Sequence, residues 1–215
     1  MLKDNPLIFL TVTFLTAWSA SYNAMSQTER TQPQLSAIID SLEEQDQKWR
    51  HLWTLVHNHQ STGSLTEGEI LLNLRQTDSL NFFTLKKIIG EIGYPAIAEV
   101  GSTSSKNFWL LVQHQDRHPE FQGRVLKLMK VAVDAGQAYA EDYAYLLDRV
   151  LINTGQLQVY GTQMVLDSTK TSFKPKPVSD MVNLNARRKY VGLPSIEIYI
   201  QEMNERYHEF LTGDK

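Results

Sequence analysis

Residues 34–58, QLSAIIDSLEEQDQKWRHLWTLVHN, carry apolar side chains at Leu35, Ile38, Ile39, Leu42, Trp49, Leu52, Trp53 and Val56. Steps of three and four residues line these up on one face of an α-helix, whose period is 3.6; a strand would scatter them over both faces. The stretch predicts one long amphipathic helix, and the same test carried outward predicts a helical chain. A Ser-Thr-Gly-Ser loop at 61–64 ends this helix, and a shorter one follows from Thr66 to Leu74. Asp78 suits the cap of the next, whose apolar face runs Phe82, Leu85, Ile88, Ile89 and Ile92. Gly93-Tyr94-Pro95 stops it, because proline cannot continue a helix.

Ser104 or Ser105 is placed as the cap of Phe108-Trp109-Leu110-Leu111-Val112, a segment apolar all round and therefore central. Pro119 suits the first position of another helix, ending at Gly136, and one more over about 138–153 ends at Gly155. The pattern then changes. Gln158 to Leu166, QVYGTQMVL, is β-branched and aromatic without helical stepping and reads as a strand or hairpin arm. Lys174-Pro175-Lys176-Pro177 reads as extended loop, and two helices close the chain, about 180–191 and 195–210, the second capped by Ser195. The expected fold is mainly α: a multi-helix bundle with a short extended or β-hairpin insertion near 157–178, forming a single domain over 27–215.

The 215 residues are 42% hydrophobic and 21% charged, enough for a core that needs no staples. A net charge of −3 offers no general polyanion surface, so nucleic acid is not an expected partner. Leu7 to Ala20 (LIFLTVTFLTAWSA) is too short as a helix for a hydrocarbon core of about 30 Å. It fits the apolar region of a signal peptide over 1–26, with Ala24 and Ser26 before the cleavage point. The expected location is periplasmic or secreted, with no membrane span once the leader is removed. The alternative is an uncleaved anchor. Cysteine is absent, which excludes thiol chemistry and disulfides.

Polar residues within apolar helices are the candidates for chemistry. His114, at the end of the most apolar segment, suits a general base, with Asp116 or Asp148 as the carboxylate that fixes its tautomer. The alternative is that Gln113 and His114 cap the helix end. His114 and His118 have zinc-helix spacing, but Pro119 breaks the helix between them, and no metal is expected. Asp148-Arg149 lies inside an apolar run, so Asp148 is either a buried ion-pair member or a perturbed carboxylate. In Tyr160-Gly161-Thr162-Gln163 the glycine permits close approach by a ligand, or else marks a bulge. One of Arg187 and Arg188 suits a fork onto a carboxylate or phosphate, leaving the other solvated. No nucleophile elbow, phosphate-binding glycine loop, dinucleotide fingerprint or calcium loop is present, and no cofactor is expected.

These motifs, in this order, resemble a bacterial domain-of-unknown-function family over roughly Asp46 to Tyr199. The resemblance rests on Asp46-Gln47 with Arg50, Asp78 with Asn81, Gly93-Tyr94-Pro95, and Trp109 through Asp116 with Pro119 and Phe121-Gln122. It continues through Asp148-Arg149-Val150, Gly155, Gln158, Tyr160-Gly161-Thr162-Gln163, Pro175, Pro177, Arg187-Arg188 and Gly192-Leu193. Gln115, Leu157 and Asn185 depart from the family's Ala, Pro and Asp, and the family has no histidine matching His118. The resemblance implies no reaction, but it groups Gln113, His114, Asp148, Arg149, Tyr160, Gln163 and Arg187 into one ensemble. Two functions follow. One is a polar pocket for a small polar or anionic ligand, with hydrolysis or group transfer as the reaction class. There His114 is the acid/base, Asp148 or Asp116 its orienter, Arg149 and Arg187 bind the anion, and Gln113, Tyr160 and Gln163 position it. The other is a non-catalytic interaction module whose polar motifs form a structural hydrogen-bond network.

Overall fold

The computed structural model describes residues 32–169 and 171–212. The signal peptide expected over 1–26 falls outside these described residues. Among the described residues, seven helices and one two-stranded sheet follow in the order α1 (Pro33–His57), α2 (Glu67–Glu91), α3 (Ile97–Gln113), α4 (Pro119–Asp134), α5 (Ala140–Asn153), β1 (Met164–Leu166), β2 (Phe173–Pro175), α6 (Leu184–Tyr190) and α7 (Ile196–Thr212). The chain is therefore mainly α with a short hairpin.

Helix α1 starts on a proline, whose missing N–H is unneeded there, and packs on α2 and α3. Ser36 makes the α1–α3 approach close: its hydroxyl donates to the Val100 carbonyl at 2.6 Å and meets Ser104 Oγ at 2.7 Å. That carbonyl is available because Gly101, at φ 82°, interrupts the α3 hydrogen-bond ladder. Ser104 and Ser105 consequently lie buried inside α3 rather than capping it, with Ser105 Oγ donating to the Pro95 carbonyl at 2.8 Å.

A second expectation also fails. Nothing breaks the chain between Leu74 and Asp78; one helix runs from the Thr66–Glu69 capping box to Glu91. Asp78 sits in mid-helix and directs its carboxylate at Arg50 of α1.

The main core gathers Ile39, Leu85, Ile88, Val100, Phe108, Leu111, Val112, Val125, Met129 and Leu146 from α1 to α5. Burying each such side chain contributes about 1.5–3 kcal/mol. A second cluster joins Phe173 of β2, Leu184 of α6 and Ile196, Tyr199, Met203 and Tyr207 of α7. The hairpin pairs Met164 with Pro175 and Leu166 with Phe173, antiparallel. Gln158 makes a single parallel bridge to Val178, and the stretch after it is loop, because the N–H groups of Val159, Tyr160, Thr162 and Gln163 go to the side chains of Asp148 and Gln158 instead of a ladder. No helix among the described residues is long and apolar enough to cross a membrane.

Candidate functional site

Asp46 and Arg50 occupy positions on the apolar stripe of α1 where a plain bundle would carry leucine, and both are buried. Arg50 Nε donates to the two oxygens of Asp46 at 3.1 and 3.0 Å, and its Nη2 reaches Asp78 Oδ1 at 2.5 Å. Asp46 Oδ2 also accepts from Gln47 Nε2 at 3.0 Å, and from the end of α3 His114 Nδ1 lies 2.7 Å from the same oxygen. The His114 side chain is only 6% exposed.

Burial alone would raise the Asp46 carboxyl, but the pull of His114 and Arg50 outweighs it and brings the group down to about 2. Burial lowers the imidazole of His114 below its ordinary value, against the pull of Asp46. The pair is therefore an ionised carboxylate beside a neutral imidazole, with Arg50 supplying the compensating cation. An ionised carboxylate only accepts, so Nδ1 carries the proton and Nε2 carries the lone pair. Burial pushes Asp78 up to about 6, against the attraction of Arg50 and Arg117 and with the repulsion of Asp46.

The orienter of His114 is thus Asp46, 68 residues away, and neither Asp116 nor Asp148. Asp116 Oδ2 pairs with Arg149 Nη1 at 3.0 Å, and its Oδ1 accepts from Asn153 at 2.9 Å. Asp148, fully buried, accepts the backbone N–H of Val159 at 2.7 Å, of Tyr160 at 3.0 Å and of Thr162 at 2.9 Å, plus the Thr162 hydroxyl at 3.0 Å. It is neither an ion-pair member nor a neighbour of the imidazole; it fastens the loop to α5.

The expected ensemble divides in two. Gln113, His114, Asp116 and Arg149 gather where α3 ends, with Arg149 Nη1 donating to the Gln113 carbonyl at 3.2 Å. Asp148, Tyr160, Gln163 and Arg187 belong to the loop. Gln163 Nε2 donates to Thr162 Oγ1 at 3.1 Å, and Arg187 forks onto Asp180 and the Val159 carbonyl. Arg188 is not solvated either. It is fully buried, donating to the carbonyls of Pro194 and Tyr160 at 2.6 Å each, with its guanidinium over the Tyr199 ring. Gly161 answers to packing: at φ +67°, an added Cβ would lie 3.2 Å from Ile196 Cδ1. His118 turns away from His114 and stacks on Phe82 with ring centroids 3.6 Å apart. No group of three metal-ligating side chains occurs among the described residues.

The chain matches the model of a family of unknown function. The match covers residues 33–210, from the first residue of α1 to near the end of α7, and so contains every element named above. The chain belongs to the family of unknown function DUF6624. No curated protein and no solved structure matches it. For this DUF6624 chain, Asp46 is the site residue that sequence reasoning failed to place. Its signal was a charged pair, Asp46 and Arg50, spaced i, i+4 along an otherwise apolar face.

Proposed function

We propose that this DUF6624 chain binds a small polar or anionic ligand at the end of α3 and acts on it through His114, after export to the periplasm or beyond. The observation that carries this is the Asp46–His114 pair. A buried carboxylate, itself held by an arginine, fixes one imidazole tautomer and leaves Nε2 as the base; this is how acid/base histidines are prepared. Arg149, paired with Asp116 at 3.0 Å, lies close enough to lower the imidazole further. The reaction class suited to one histidine base is hydrolysis or group transfer.

The test is a melting screen of the wild-type protein and His114→Ala against nucleotides, sugar phosphates, amino acids and cell-wall fragments. A ligand at a hundred times its Kd stabilises by about 2.7 kcal/mol, several degrees in Tm. The expected result is a shift in the wild type that His114→Ala loses. The interaction-module reading draws support from the loop half of the ensemble, where Asp148, Gln163 and Arg187 spend their hydrogen bonds on the protein itself. A screen without a shift, with His114→Ala less stable by about 1–3 kcal/mol, would replace the first reading by this one.

A further inference from the structure

Helix α2 packs its inner face on α1 and α3, and its outer face carries apolar side chains that nothing among the described residues covers. Leu72 is 55% exposed, Leu80 67% and Phe83 69%. Single exposed apolar side chains are ordinary, but these three lie on one side of one helix within three turns. The stripe they belong to runs Glu69, Leu72, Gln76, Ser79, Phe83, Lys86, in alternating steps of three and four, and all of these side chains are exposed. That is the 3.5-residue repeat with which one helix meets another along its length. Arg75 and Leu80 flank the stripe, and with Gln76 and Ser79 they line a shallow hollow at its middle.

Turned end for end about the point between positions 77 and 78, the stripe meets its own complement. Leu72 faces Phe83, Gln76 faces Ser79 and Glu69 faces Lys86, while the stem of Arg75 lies along Leu80. Set parallel, each residue would meet its own kind, acid against acid and base against base. The charges are available for the antiparallel match. Thr66 takes Glu69 Oε2 in the capping box, which leaves Oε1. Lys86 forms no ion pair among the described residues, its ammonium lying 5.9 Å from the Phe82 ring centroid, whereas Lys87 is held by Glu91 at 3.9 Å. An anionic membrane would call for one sign of charge along the face; opposite charges at equal distances from the middle call for the same helix running backwards. We propose that the outer face of α2 is the interface of a symmetric dimer, in which α2 pairs antiparallel with α2 of a second copy about a two-fold axis between positions 77 and 78. The seam is one helix wide, so the dimer belongs to the weak, concentration-dependent class that buries less than about 1,200 Å².

The measurement is sedimentation equilibrium of the wild type, Phe83→Ala and Lys86→Glu from micromolar to millimolar concentration, with far-UV circular dichroism to check that these exposed substitutions leave the fold intact. The expected result is a monomer–dimer equilibrium that Phe83→Ala weakens at least tenfold by removing the ring opposite Leu72. Lys86→Glu should weaken it as much, by setting one carboxylate against another at both ends of the seam. The chain has no cysteine of its own, so introduced ones report the arrangement through a short bis-maleimide cross-linker. Gln76→Cys chains should join to each other. Lys86→Cys chains should not, because the antiparallel pair holds the two copies of that position about 26 Å apart along the axis. A mixture of Glu69→Cys and Lys86→Cys chains should join again. A monomer at every concentration, a dimer indifferent to Phe83→Ala, or Lys86→Cys joined to itself overturns the inference. A monomer that binds anionic vesicles through Phe83 overturns it too and gives the face to a membrane.

Discussion

Replacing Asp148 with asparagine separates a structural carboxylate from a catalytic one. The side chain is fully buried, and each of its oxygens faces at least two donors: Oδ1 the N–H groups of Val159 and Tyr160, Oδ2 the N–H groups of Tyr160 and Thr162 and the Thr162 hydroxyl. An amide of the same shape can turn its oxygen to only one of these sets. The other set then meets an NH₂ group, donor against donor, with no water to take over. Hydrogen bonds to a charged group are worth about 1.5–3 kcal/mol each, so losing two costs about 3–6 kcal/mol. That is a large share of the roughly 5–15 kcal/mol that holds a domain folded. With a urea slope of about 2 kcal/mol per molar, the unfolding midpoint measured by far-UV circular dichroism should fall by about 1.5–3 M. Proteolysis should also open first within 158–163. A midpoint shift below 0.5 M, with any ligand response abolished, would refute the reasoning and return Asp148 to the catalytic role that its place in the sequence suggests.

Other outcomes follow from the same contacts. Asp46→Asn should cost about 3–5 kcal/mol in urea unfolding, because it leaves Arg50 as a buried cation with only Asp78 to answer it. Burial raises the carboxyl of Asp142 from 3.8 to about 7, with Lys106 opposing. A raised folded value means stability present below pH 3.8 and lost as pH rises through 7, so Asp142→Asn should gain on the wild type by up to about 4 kcal/mol between pH 4 and 8. Asp46 runs the other way: its stabilisation is full above pH 3.8 and disappears as pH falls through about 2, which an acid titration of Asp46→Asn against wild type will show as a flattened acid limb. Gly161→Ala should lower stability by about 1–3 kcal/mol, through its positive φ and the 3.2 Å approach to Ile196; an unchanged Tm would remove the packing account of that glycine.

The helices were legible because burial imposes a period on each of them, and their ends were legible where proline or glycine acts locally, as at Tyr94-Pro95, Pro119 and Gly155. Asp78, Ser104 and Ser105 misled for a common reason. Aspartate and serine favour caps through contacts within a few residues, but here their partners are Arg50, Ser36 and the Pro95 carbonyl, supplied by other segments. The site shows the same division. His114 stood out because an imidazole at the end of an apolar helix needs a partner, yet nothing local says that the partner is Asp46. Asp148 and Arg149 were visible as misplaced charge; which donors Asp148 would meet depended on how the 158–163 loop folds back.

Arg50 has a consequence beyond the chemistry of the imidazole. Apolar helices can slide along one another at little cost, since one leucine serves nearly as well as the next. Here one cation of α1 must meet a carboxylate of α2 while its intrahelical partner meets the ring at the end of α3. A helix rises 1.5 Å per residue, and a shift of one residue already exceeds the tolerance of a hydrogen bond. The polar knot therefore acts as a vernier that admits one alignment of three helices, and any ligand bound near His114 meets a surface ruled to that precision.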